Sequence, residues 1–277
     1  MALGGPRSIA VILLVGGTSL AAQVADSALQ YRPEQLHCSR FFESSESRIM
    51  TQSGNQGREQ TSGRIGVWQF RATGADSGLM LEAWLDSLTL WRRSKEAVIR
   101  PDTDGLLGGR YLGRLSPRGA YSGQRWPFIP DEVAEVAGMA TALDDFFPPL
   151  PSRQLHAGEV WRGSPGLTLQ RLGDSALSGV PLYRFRLEVR KVSQESDTER
   201  DSIPLELRQV SREIGTFVWH PTLGLIRRER NIVVETTVPP GGPVRHAIRS
   251  RIQQHIRVTR DLNAAGAHPP HCGTSSS

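Results

Sequence analysis

Tyr183-Arg184-Phe185-Arg186-Leu187-Glu188-Val189-Arg190 alternates apolar and charged side chains without exception. A period of two places one set on each face of an extended chain, so this stretch is a half-buried β-strand. The pattern recurs downstream. Ile203, Leu205 and Leu207 alternate in a segment running on to Trp219, and His220-Pro221-Thr222-Leu223-Gly224 turns the chain. Residues 226–238 return with Ile232, Val234 and Val238 on one face. Pro239-Pro240-Gly241-Gly242-Pro243 breaks that strand, and Val244, Ile248, Ile252, Ile256 and Val258 mark the last one. The polar, acidic residues 193–201 read as an exposed hairpin loop.

The first half follows the same logic. Residues 38–51 alternate weakly, and residues 65–73 carry Ile65, Val67, Trp68 and Phe70. Gly74-Ala75-Asp76-Ser77-Gly78 turns the chain into residues 79–92. Unbroken alternation there sets Leu81, Ala83 and Leu85 against Trp84, Leu88 and Leu90, which predicts a strand covered on both faces. Ser116-Pro117-Arg118 joins two short strands. Strands that follow one another through short turns imply an antiparallel meander. Their length favours a large curved sheet or half-barrel, a mainly β (α+β) fold.

One stretch breaks the β pattern. It begins Trp126-Pro127-Phe128-Ile129-Pro130 and leaves through Phe147-Pro148-Pro149-Leu150-Pro151. Between them Val133, Val136, Ala137, Ala140, Leu143 and Phe147 recur at three- and four-residue steps, which predicts a helix over 131–147. Asp131, Glu132 and Glu135 suit its first turns, and Pro148-Pro149 ends it. The helix is expected on the concave face of the sheet. Gly138 inside it costs about 1 kcal/mol relative to Ala.

The N-terminus reads as a secretory leader. Arg7 precedes a purely apolar run over 9–15, and Gly16-Gly17-Thr18-Ser19 and Leu20-Ala21-Ala22-Gln23 follow. The run is too short to cross a bilayer. Cleavage is expected between Ala21 and Ala25, favoured after Ala22, giving a leader over 1–22, one domain over 23–262 and a flexible tail over 263–277. The mature chain then has no transmembrane span and is periplasmic or secreted. Hydrophobic content of 38% and charge of 22% fit a soluble globular domain. The net charge of +5 comes almost wholly from arginine and points weakly to an anionic partner. Export makes nucleic acid an improbable one.

Leu115-Ser116-Pro117-Arg118-Gly119, Phe146-Phe147-Pro148-Pro149-Leu150-Pro151, Gly158-Glu159-Val160-Trp161, and Gly215-Thr216-Phe217 with Gly224-Leu225-Ile226 form an ordered set. Together they resemble a class of exported bacterial β-rich proteins known as domains of unknown function. Their general shape is similar to the periplasmic half-barrels that carry lipoproteins and lipids. The resemblance spans residues 31–262 and implies a fold; it implies no catalytic residues.

Two cysteines in an exported chain, Cys38 and Cys272, are most simply one disulfide. His37 and His268-x-x-His271 beside them leave a zinc site as one alternative, and two free or otherwise paired thiols are the other. Neither Gly-x-Ser-x-Gly nor His-Glu-x-x-His occurs, so no catalytic or metal-binding set is predicted and no cofactor is expected. Trp84, Trp126, Phe128, Leu143, Phe147 and Trp161 are candidates to line an apolar pocket between helix and sheet. Arg245, Arg249, Arg251 and Arg257 are candidates for an anionic contact, with Arg227, Arg228 and Arg230 on the preceding strand. The expected function is a non-enzymatic envelope protein holding a lipid or other amphipathic small molecule. The alternatives are an assembly protein with a solid core and an Arg-rich face toward an anionic envelope component, and, less favoured, an exported hydrolase.

Overall fold

The computed structural model describes residues 29–177, 179–197, 205–241 and 244–263. The strands in chain order are β1 Ser39–Ser53, β2 Gln56–Ala75, β3 Gly78–Arg93, β4 Val98–Ile99, β5 Tyr111–Leu115, β6 Tyr121–Arg125, β7 Val160–Arg162, β8 Leu167–Arg171, β9 Ser175–Leu177, β10 Val180–Asp197, β11 Leu205–His220, β12 Gly224–Val238 and β13 Ile248–Arg260. They form one curved, open antiparallel sheet in the order β6-β5-β3-β2-β1-β13-β12-β11-β10-β8-β7, with β4 on β3 and β9 on β10. The mainly β meander read from the alternation is therefore present. Its two halves join where β1 meets β13, from Phe41 opposite Arg260 to Ser53 opposite Ile248.

Register shifts sharpen the curvature. One lies where Val67 pairs with Ser87 but Trp68 pairs with Leu85. The extra residue, Asp86, turns outward and accepts a 2.7 Å hydrogen bond from Gln69. It also corrects the two-faced reading of this strand. Past the bulge the parity flips, so Leu88 and Leu90 rejoin the face of Leu81, Ala83 and Leu85, opposite Gly66 and Arg64. The second expected cover is needed only by Trp84, which lies under the Arg110 guanidinium at 3.9 Å from the ring centroid. The predicted loop over 193–201 is likewise shorter, because β10 stays paired to Asp197, opposite Leu205.

The helix predicted over 131–147 is not continuous. α-Helix occupies Asp131–Ala134 (α2), and a 3-10 turn occupies Met139–Thr141. Gly138, at φ −73 and ψ 73, leaves the helical region between them. Beyond it, Ala142 N–H reaches the Met139 carbonyl, Asp144 that of Thr141 and Phe146 that of Leu143. Three-residue turns change which side chains share a face. Val133, Val136, Met139, Leu143 and Phe146 are buried, whereas Ala140 from the helical stripe is exposed. The segment is a strap lying on the inner face of the sheet. Phe146 meets Phe41, Trp68 and Phe70 at ring separations of 5.7, 6.3 and 5.1 Å.

The strap's exit is pinned by a hairpin. Arg118 donates to the carbonyls of Pro151 and Leu29, and Leu150 N–H donates back to the Arg118 carbonyl. Gly119 has φ 94 and sits against the Pro148 carbonyl, so no side chain fits there. A short helix, α1 (Pro33–Leu36), precedes β1. Tyr31 next to it donates its hydroxyl to the Pro148 carbonyl at 3.1 Å.

The leader over 1–22, Cys272, and the tail after Asn263 lie outside the described residues. Cys38 sits between α1 and β1 with φ 55. The Cys38–Cys272 pairing remains an expectation. Thiol labelling of unreduced, denatured protein should find no reactive cysteine; two reactive thiols would overturn it.

Candidate ligand-binding cleft

The strap covers only part of the inner face. β1, β2, β12 and β13 run on past it, and between them and the strap lies an open cleft of about 380 Å³. That volume falls within the ~300–1,000 Å³ of small-ligand sites. The floor is apolar: Ile49 from β1, Ile232 from β12, and Ile252 and Ile256 from β13. Register makes this floor, since Ile49 faces Ile252 and Ile252 faces Val234 across three neighbouring strands. Ser45, Ser47, Ser62 and Gln254 add polar groups, and Val136, Gly138, Thr141 and Ala142 form the strap's lip.

Two buried ion clusters stand at the inner end. Arg230 donates from Nε and Nη2 to the two oxygens of Glu213, each at 2.7 Å. Arg228 adds a third bond to Glu213 at 3.2 Å. Both arginines also donate to the main-chain carbonyl of Asp145 on the strap. On the opposite wall Glu43 accepts from Arg64 Nη2 at 2.5 Å and from Trp68 Nε1 at 2.7 Å. Arg64, Arg228, Arg230, Glu43 and Asp145 all line the cleft.

Burial alone would push the Glu213 carboxyl up, but the hydrogen bonds and charges of Arg230 and Arg228 outweigh it and hold it below its ordinary range. Burial opposes the charge of Arg230 too, yet Glu213 and Asp145 stabilise that charge more. Arg228 is pushed down to about 10, first by burial and then by the charge of Arg230. Two buried polar atoms here have no partner, Arg228 Nε and Arg64 Nε.

The aromatic and apolar residues singled out in the sequence do not line this cleft. Leu143 and Phe147 are consumed by packing between strap and sheet. Trp84 lies on the outer face, because it alternates with Ala83. Trp126 and Phe128, 54% and 83% exposed, border a separate recess with Arg110, Leu112 and Arg125. Trp161 is half-buried on β7 at the far edge. Arg249, Arg251 and Arg257 do share the outer face of β13. Arg257 is paired to Glu229 at 2.9 Å and Arg251 to Glu235 at 3.7 Å, which leaves less free positive charge than the sequence suggests. Arg245 is exposed just before that strand.

Arg228 and Arg230, grouped with the outer basic face from sequence, belong inside. The signal was parity: they share a face with Ile232 and Val234. Arg227 alone of the three points outward, to Glu229.

No family model matches the sequence, and no curated protein matches it. Among solved structures the chain is similar to a DUF1329 family protein from Desulfovibrio piger. Identity is 12%, covering 86% of this chain and 93% of that one, with a TM-score of 0.19. A likeness at that score carries no argument, so function rests on the geometry of the cleft.

Proposed function

We propose that this is a non-enzymatic, exported envelope protein whose cleft holds an amphipathic, lipid-like ligand. The observation that supports it is the apolar floor continuing past the strap into an open cleft that also carries Ser45, Ser47, Ser62 and Gln254. An assembly protein with a solid core has no use for that opening. Two of the carboxylates at or beside the cleft, Glu43 and Glu213, are each engaged by arginine in a buried cluster. Glu213, held low by Arg230 and Arg228, is poorly matched to general acid–base work near neutral pH, which argues against a hydrolase at this cluster. Among the described residues no cluster of His, Cys, Asp or Glu suits a metal ion, and no helix is long and apolar enough to cross a membrane.

The test is native mass spectrometry of protein from the envelope fraction, with the N-terminus sequenced. The expected result is a chain starting after Ala22 that carries acyl lipid and rebinds a fluorescent fatty acid once delipidated. Protein that is empty as isolated and binds no such probe would sink the reading and favour a contact role for the outer arginines. An intact Met1 in the cytoplasm would sink export.

A further inference from the structure

The charges at the cleft do not balance within the buried set. Arg64, Arg228 and Arg230 are all buried or nearly so, against the buried carboxylates Glu43 and Glu213. Three guanidinium groups face two carboxylates, so one positive charge is left over. The remaining negative group is Asp145, whose carboxylate is 71% exposed and stands 3.4 Å from Arg230 Nη2. An exposed carboxylate at that distance is a weak partner, because water screens it. A buried cation is costly unless it is fully paired. Arg228, whose side chain is 4% exposed, moreover keeps its Nε without a partner.

We propose that the cleft selects an anionic headgroup, a carboxylate or phosphate on a single acyl chain, bound at Arg230 and Arg228, and that the Asp145 carboxylate holds its place in the empty protein. The inference rests on the amphiphile reading above and goes further by naming the ligand's charge. The headgroup completes the charge balance at the inner end of the cleft. Its chain lies outward along Ile232, Ile252 and Ile49. Guanidinium groups in a low-dielectric wall bind carboxylate and phosphate through charge-assisted hydrogen bonds. A neutral headgroup leaves the excess charge uncompensated. A cationic headgroup is repelled.

The experiment uses delipidated mature protein at pH 8 and four probes with one chain type: oleate, 1-oleoyl lysophosphatidic acid, monoolein and oleylamine. At least one anionic probe should bind about tenfold or more tighter than monoolein, the size of one charge-assisted hydrogen bond. The tighter of the two anions identifies the headgroup as carboxylate or phosphate. Oleylamine should bind weakest. Asp145→Asn removes the competing carboxylate at an exposed site where folding is not at stake. It should raise the anion-to-monoolein affinity ratio by about threefold, the worth of an exposed ion pair. Equal binding of all four probes, with that ratio unmoved by Asp145→Asn, overturns the anionic selectivity while the amphiphile reading stands. Binding of none overturns the amphiphile reading, and the selectivity with it.

Discussion

Glu213→Gln should destabilise the protein by about 3–5 kcal/mol at pH 7, the cost of leaving a buried ion cluster without one partner. Glu213 is the only carboxylate that joins both Arg228 and Arg230 with hydrogen bonds among the described residues. Without it two guanidinium groups, 4% and 5% exposed, stand side by side two residues apart on one face of β12. Their bonds to the Asp145 carbonyl do not neutralise them. Loosening that pair also loosens the strap. The pH dependence follows from the sign of the shift. The folded carboxyl titrates below its ordinary value of 4.5, so it contributes stability that is fully present above that value. The contribution is lost as pH falls through the lower, folded value. Urea unfolding of wild type and Glu213→Gln at pH 7, 5, 4 and 3 should therefore show a gap that narrows in acid. A gap below about 1 kcal/mol at pH 7, or one that does not narrow, would mean the cluster is solvated and worth no more than a surface pair.

Phe146→Ala should cost about 3–5 kcal/mol, the range for truncating a buried aromatic. The ring is 4% exposed and sits edge-on to Phe41, tilted on Phe70 and edge-on to Phe147. It joins the strap to β1 and β2 at once. The sheet cannot collapse into the space, because β1 and β2 are held in register from Ser39 opposite Phe70 to Ser53 opposite Gln56. Equilibrium unfolding in urea measures the loss. A loss under about 1 kcal/mol, together with faster release of a bound fatty-acid probe, would identify the strap as a mobile lid and not as part of the core.

The Phe146 result bears on how the strap was read. Helical spacing correctly marked Val133, Val136 and Leu143 as buried. It placed Ala140 inside and overlooked Met139, because Gly138 and the turns after it change the period from 3.6 to about 3. Neither spacing nor propensity over so short a run separates these periods. The same limit hid the bulge in β3. A strand with one extra residue still reads as a strand, and only the partner strand reveals where Asp86 is skipped.

Sequence alone determined the mainly β class, the antiparallel order of neighbours and the approximate ends of most long strands. Those features are local: period-two alternation and Pro/Gly turns act within a few residues of one another. Which face of each strand points inward is not local. On β12 alternation put Arg228 and Arg230 with Ile232 and Val234, but hydropathy alone favours arginine facing water. The arginines stay inside because Glu213 arrives from β11 and the Asp145 carbonyl from the strap. Opposite charge and hydrogen bonds offset their desolvation only once those segments meet. The pairing of β1 with β13, which makes the cleft's floor, likewise joins residues 195 to 219 positions apart. Only the tertiary structure decided where the cleft lies and which charges line it.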